Sequence, residues 1–314
     1  MSKFQEQQRA KQVQLIRASN IFNSSKGGGY FMGDFRDFVL KESIYNLYEP
    51  IRKDILKYMS ENNISWWGGN KPTGHTLSSQ IACFNHLFYI RNDKDIVLNI
   101  LNNVKNEFIE VLPIPCDKED TFISFEVVSG EDYLNEKQST RGTNCTSIDA
   151  FIYARHNSGE IWLIPIEWKY TEHYNNQDKS TEDSRGDERL RRYMTLIKDS
   201  KQLKSLDEYK GSVYFQEPFY QLMRQTLWAE QVIAHKDSEK EPLKADNYLH
   251  IHVIPNANKD LLNKAYKVTG NSMENSWKAQ LEDDSKYIIV DPADLIKPIK
   301  NNYGKLYSYI KERY

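Results

Sequence analysis

At 314 residues, 39% hydrophobic and 12% aromatic, the chain carries enough apolar material to pack one large domain or two modest ones. Its 42 Lys and Arg against 44 Asp and Glu leave a formal net charge of -2, so global charge does not mark a nucleic-acid binder and any anion-binding surface must be local. Cys83, Cys116 and Cys145 lie far apart with no CxxC pair, which argues against a zinc ribbon or a disulfide framework, and no run approaches the ~18 apolar residues of a membrane span. The polar N-terminus also lacks the apolar core of a signal peptide, so a soluble, cytoplasmic protein is expected.

Residues 4 to 22 read as a polar, Gln-rich helix, an arm that ends before "NSSKGGGYFMGD", where glycines and small polar residues predict a flexible turn. From 35 to 62, apolar residues at helical spacing predict two helices with a break at Pro50. After the loop "SWWGGNKPTGH", the segment "TLSSQIACFNHLFYI" puts Leu77, Ile81, Phe84 and Phe88 on one helical face, with Thr76 as its cap. Residues 1–74 are thus expected to form an N-terminal helical extension and 75–314 the main domain, the two making one compact unit.

Beyond Pro113 and Pro115 the texture changes. Residues 121–128, 145–154 and 160–170 are rich in β-branched and aromatic side chains and predict three strands. Asn157, Ser158 and Gly159 join the last two as a hairpin. "NQDKSTEDSRGDE" is too polar to pack and reads as a mobile loop; helices follow at 188–203 and 217–235, then strands at "YLHIHVIP" and "KYIIVDP". The fold class is α/β, with no internal repeat and no linker that splits the chain.

The chemistry concentrates in "IEWK". Alternate side chains of a strand share a face, so Glu167 and Lys169 point one way and Ile166 and Trp168 the other. Counting nine residues back and forward from Ser158 sets Asp149 opposite Glu167, a relation that a one-residue slip would undo. Two facing carboxylates repel unless a cation lies between them. A hard divalent ion, Mg2+ or Mn2+, would relieve that cost and activate water against a phosphoryl group, while Lys169 would orient or activate the water or stabilise the transition state. Pro165 cannot donate a ladder hydrogen bond, so the strand there must be an edge, a bulge or a place where pairing is lost. A salt bridge at a strand end is the purely structural alternative.

These residues resemble the PD-(D/E)xK nuclease superfamily: the Asp is Asp149 in "SIDA", with Ile148 where the motif has proline, and the ExK is Glu167-Trp168-Lys169. "RGTNCTSIDAFIY", "SSQIACFNHLF" and "FYQLMRQTLWAEQ" are similar to bacterial restriction-endonuclease-like proteins, a resemblance spanning roughly residues 75 to 255. It implies a central mixed sheet flanked by helices and a metal-dependent DNA endonuclease. Asp149, Glu167 and the main-chain carbonyl of Trp168 would hold the metal, and Asp149, Glu167 and Lys169 would be catalytic. The partner implied is double-stranded DNA, and a homodimer would supply the two sites needed to cut both strands. The alternatives are an inactive nucleic-acid-binding module of the same fold and a metal-dependent phosphoesterase acting on a small substrate.

Such nucleases also carry an acid upstream of the core hairpin and a Gln-bearing helix after the lysine, which points to Glu126, Gln221 and Gln225 as support. A surface Glu and a solvated helix face are the plain alternatives. Gln221, Arg224, Gln225 and Trp228 fall at i, i+3, i+4 and i+7 on that helix. Gln80 and Asn85 on the earlier helix are further candidates to line the site. Arg141 is a candidate phosphate ligand or a loop salt bridge, and Arg189, Arg191 and Arg192 make a local basic cluster. His250 and His252 share a strand face but have no evident third ligand for a metal. There is no G-x-S-x-G elbow, P-loop or dinucleotide fingerprint.

Overall fold

In the computed structural model, which describes residues 2–23, 25, 28–137, 141 and 145–314, the chain opens with helix α1 (Lys3–Ala18). Residues 142–144 of the "RGTNC" stretch therefore lie outside the described residues. Ser2 starts α1 by accepting the Gln5 N–H at 3.1 Å. The helix is docked rather than a free arm: the buried Gln12 donates to the Arg313 carbonyl oxygen at 2.9 Å, and the Phe4 N–H donates to Asp260 Oδ2 at 3.1 Å.

The segment expected to be a flexible turn leading into helix is a β-hairpin, β1 (Gly28–Phe31) and β2 (Asp34–Leu40). Met32 and Gly33 connect the strands with φ of 52° and 84°, and two successive positive φ values make a turn whose twist matches that of the paired strands. The glycines serve close approach there: a Cβ on Gly28 would stand 2.5 Å from the Arg36 carbonyl oxygen, and one on Gly29 2.7 Å from that of Leu40. The short apolar run of β2 fits helix and strand spacing equally well, which is why periodicity misassigned it.

Only the second half of 35–62 is helical. Two 3₁₀ turns, Ser43–Asn46 and Glu49–Ile51, lead into α2 (Arg52–Glu61). The N-terminal extension is therefore part strand. It also shares its core with the central sheet, since Phe38, Val39, Ile51, Ile55 and Tyr58 pack in one cluster with Ile152, Ile164 and Trp168.

Helix α3 (Ser79–Leu87) is capped by Ser78, which accepts the Ile81 N–H at 3.3 Å, while Thr76 donates its hydroxyl to the Phe38 carbonyl oxygen at 2.5 Å. After α4 (Lys94–Val104) comes β3 (Phe108–Leu112), a strand that the sequence pattern does not predict. Then follow β4 (Ser124–Val127), β5 (Ile148–His156) and β6 (Ile161–Trp168). Helix α5 (Asp183–Asp199) begins inside the stretch expected to be a mobile loop, with Asp183 in its first turn where a negative charge suits the helix dipole. The remaining elements are α6 (Phe219–Ala234), β7 (Asn247–Tyr248), β8 (His250–Val253), α7 (Lys259–Leu262), α8 (Met273–Lys278), β9 (Tyr287–Val290), α9 (Pro292–Leu295) and α10 (Gly304–Arg313).

The main sheet runs β3-β5-β6-β8-β9, with β4 alongside β5 beyond the end of β3, and β7 alongside β6. Strands β3, β4 and β6 are antiparallel to β5, whereas β6, β8 and β9 run parallel. This is the expected mixed sheet flanked by helices. On one face Ala150, Ile152, Ile164 and Trp168 pack with side chains of α3, α4 and α10; on the other Phe151, Tyr153 and Leu163 pack with α5 and α6. Both parities of the central strands are apolar because both faces are covered.

Pro165 sits inside β6, a strand paired on both sides. The Leu163 carbonyl oxygen accepts the Leu249 N–H, so residue 165, two along, also turns its nitrogen toward β7 and β8. Ladder pairing on that side stops after Leu163 and resumes at Ile166, so the missing donor falls in the gap between β7 and β8.

Candidate active site

The β5–β6 ladder pairs Arg155 with Ile161 and Ala150 with Ile166, and one further step in the same register brings Asp149 opposite Glu167. The β4–β5 ladder pairs Phe125 with Ala150 and Val127 with Ile148, which leaves Glu126 opposite Asp149. On the other side Glu167 pairs with His252 of β8. Three carboxylates, Glu126, Asp149 and Glu167, therefore stand in one row across three adjacent strands. Glu126 holds its place with a φ of 52°, in the left-handed region that non-glycine residues rarely occupy and that recurs at functional sites.

Each carboxylate is held differently. Asp149 Oδ2 accepts the Trp168 N–H at 2.8 Å, and its Oδ1 takes no hydrogen bond among the described residues. Glu126 accepts from Gln80 Nε2 and from Ser147 Oγ, both at 2.8 Å. Glu167 accepts Lys169 Nζ on one oxygen and Gln225 Nε2 on the other, and Lys169 Nζ also donates to Gln221 Oε1 at 2.5 Å. Gln80, Glu126, Asp149, Glu167, Lys169 and Gln221 line one cavity of about 490 Å³, together with Trp67, His75 and Tyr174.

Burial pushes the Asp149 carboxyl well above the usual carboxylate range, and the charges of Glu167 and Glu126 add to this against the weaker pull of Lys169 and the Trp168 N–H. Burial also raises Glu126, although its bonds from Gln80 and Ser147 hold it back. Glu167 goes the other way, because the Lys169 ammonium and the bonds from Lys169 and Gln225 outweigh the effect of burial. Burial by itself lowers the Lys169 pKa, yet Glu167 first, then Tyr174, Glu172 and Asp149, hold it well above the ordinary value. The site thus combines a buried Glu167–Lys169 ion pair with two carboxyls, Asp149 and Glu126, that burial and neighbouring acids bias toward the protonated form.

The other candidate residues are not all brought here. Arg141 forms an ion pair with the fully buried Asp117 carboxylate at 2.9 Å and donates to Tyr58, Ser124 and the carbonyl oxygens of Phe125 and Glu126. Its guanidinium is committed to fastening β4, in keeping with the salt-bridge alternative. Asn85 ties the Tyr48 N–H and the Asn46 carbonyl oxygen away from the cavity. Arg224 turns to Glu136 at 3.6 Å, Trp228 is in the core, and Arg189 and Arg192 pair with Glu182 and Glu188. His252 Nδ1 bonds the Tyr287 hydroxyl at 2.8 Å, whereas neither ring nitrogen of the buried His250 has a partner among the described residues. Sequence reasoning missed Ser147, Tyr174, Trp67 and His75; Ser147, two residues before Asp149 on the same parity, had the clearest available signal.

Among the described residues no group of three or more His, Cys, Asp or Glu side chains is gathered tightly enough to hold a metal ion by itself. The donor set nonetheless suits a hard divalent cation: it consists of carboxyl oxygens whose mutual repulsion such an ion would relieve, and Asp149, which lines the cavity, has one oxygen, Oδ1, with no hydrogen bond among the described residues. Residues 5–314 match the family described as restriction endonuclease associating with ARP. The chain belongs to this family. The family match runs through α1, the hairpin and α10, well beyond the residues 75 to 255 that carry the motif resemblance. No curated protein and no solved structure matches the chain. No helix among the described residues is long and apolar enough to cross a membrane.

Proposed function

We propose that this restriction-endonuclease family member is a metal-dependent nuclease that hydrolyses phosphodiester bonds of nucleic acid, acting as a DNA endonuclease. The observation that carries the proposal is the row of Glu126, Asp149 and Glu167 with Lys169 bonded at its end. Asp149 and Glu167, with the main-chain carbonyl of Trp168, would hold Mg2+ or Mn2+, which supplies a polarised water and offsets charge on the phosphoryl group.

The chain's own groups divide the remaining work. Lys169, held charged by Glu167, is suited to stabilising the extra negative charge of the transition state and to orienting water; it is poorly suited to taking up a proton. Gln225 and Gln221 fix the rotamers of Glu167 and Lys169, and Gln80 and Ser147 fix Glu126. Two such sites in a homodimer would serve the two strands of a duplex.

Purified protein is expected to nick plasmid DNA with Mg2+ or Mn2+ and to stop on adding EDTA. Asp149→Asn, Glu167→Gln and Lys169→Ala should each abolish nicking. Variants that cut as well as the parent would overturn the assignment, and no Asp149-dependent binding of a divalent ion in calorimetry would favour an inactive binding module.

A further inference from the structure

Besides its acids, the cavity has a wall of unused hydrogen-bond donors. Leu77, Ser78, Ser79 and Gln80, which lead into and start α3, all line it. Ser78 Oγ accepts the Ile81 N–H and the Ser78 carbonyl oxygen accepts that of Ala82, but the main-chain N–H groups of Ser79 and Gln80 meet no acceptor among the described residues. Glu126 stands beside this turn without serving it, because its two oxygens are taken by the Gln80 side chain and by Ser147. The first turn of a nine-residue helix therefore brings its positive end and two open N–H groups to the cavity.

A second group points to the same ligand. Thr171, two residues past Lys169, lines the cavity and is only 3% exposed, yet its hydroxyl has no hydrogen-bond partner among the described residues. The hydroxyl is not sealed off, so its open side is the cavity. The chain on either side is fixed: the Tyr170 N–H donates to Glu172 Oε2 at 2.6 Å, and Asn258 donates to the Glu172 carbonyl oxygen at 3.0 Å. A buried hydroxyl left unpaired is costly, and a ligand that accepts from it removes the cost. Helix end and hydroxyl alike offer hydrogens, so the ligand they suit is an anion rich in acceptor oxygens.

We infer that the first turn of α3 and the Thr171 hydroxyl form a phosphate subsite, which holds a phosphate of the nucleic-acid strand other than the one being cleaved. The inference rests on the nuclease proposal and deepens it, since the cleaved phosphate belongs to the metal and Lys169. A phosphate presents acceptor oxygens alone, and its charge suits the N-terminal end of a helix. Either an internal diester or a terminal monoester supplies that chemistry.

The test uses the full-length Asp149→Asn chain and a DNA duplex centred on a bond that the parent nicks, with one phosphate at a time replaced by a neutral methylphosphonate. One position away from the nicked bond should weaken binding about tenfold, as expected for losing a charge-assisted hydrogen bond. Ser79→Pro removes one N–H where proline fits, because residue 79 is the first of the helix and Ser78 before it is already extended, with φ of -66° and ψ of 125°. Thr171→Val removes the hydroxyl. In the Asp149→Asn background each should bind unmodified DNA more weakly and lose most of the sensitivity at that one position, while the other methylphosphonates cost what they cost before. Ser79→Ala, which keeps the N–H, should retain the sensitivity. Duplexes with and without a 5′-phosphate separate the two sources: an effect at an internal position marks a diester, and one seen only with the end phosphate marks a monoester. If the parent nicks DNA but Ser79→Pro and Thr171→Val respond to every methylphosphonate as the Asp149→Asn chain does, this inference alone is overturned. If the parent nicks no DNA, it falls together with the nuclease proposal.

Discussion

Asp149 on β5 accepts the backbone N–H of Trp168 on β6 at 2.8 Å, so the residue between Glu167 and Lys169 is clamped by the very carboxylate that faces Glu167. Asp149→Asn keeps an acceptor for that N–H while removing one of three neighbouring carboxylates. Without metal the variant should therefore be as stable as the parent or more so, by about 1 kcal/mol, in the usual exchange of function for stability. Its nuclease activity should fall to background. Urea denaturation in EDTA checks the first point, and a clearly less stable variant would mean that the carboxylate is structural.

A pH dependence follows from the raised Asp149 carboxyl. For an acid whose folded pKa lies above its unfolded value, the folded state binds protons more tightly between the two. This contribution to stability is therefore present at low pH and lost as pH rises through the folded pKa. A divalent ion must displace that proton, so metal affinity should increase with pH across the same window, with proton release on binding. Calorimetry in buffers of different ionisation enthalpy measures the release. Binding independent of pH and buffer would show that Asp149 is already ionised or is not a ligand.

Gln225 donates to Glu167 from α6, and both are buried. Gln225→Ala frees one Glu167 oxygen and should lower metal affinity or turnover about 10- to 100-fold, the usual size of an outer-shell loss around a metal ligand. KM for DNA should change little. A rise in KM with kcat intact would place Gln225 in substrate binding instead.

Much of the site is legible in the sequence because its geometry is local. A three-residue connection fixes the β5–β6 register, and the register alone sets Asp149 against Glu167. Glu126 is harder: twenty-two residues separate it from Asp149, and nothing in its own strand states that it falls opposite. Gln221 and Gln225 are pointed to by motif resemblance, and they reach Lys169 and Glu167. The hairpin escapes because "MG" is not a typical two-residue turn and its glycines suggest mobility, whereas tertiary crowding requires them. β3 escapes because five residues with one exposed apolar side chain, Ile109, give too little period to see.

Arg141 separates two ways in which an arginine beside an active site can act. Its side chain neutralises Asp117, whose own side chain is wholly buried, and donates to the carbonyl oxygens of Phe125 and Glu126. Arg141→Ala would leave a buried carboxylate without its cation and should destabilise the fold by about 3–5 kcal/mol. Activity should drop as β4 loosens and Glu126 loses its position. Arg141→Lys keeps the charge but cannot reproduce so many directed N–H bonds, so it should recover only part of the stability. A phosphate ligand would behave otherwise. Denaturation would be unchanged, DNA affinity would fall evenly across sequences, and the salt slope would shrink by about one. Denaturant titration together with salt-dependent binding distinguishes the two, and the second pattern would return Arg141 to the nucleic-acid interface.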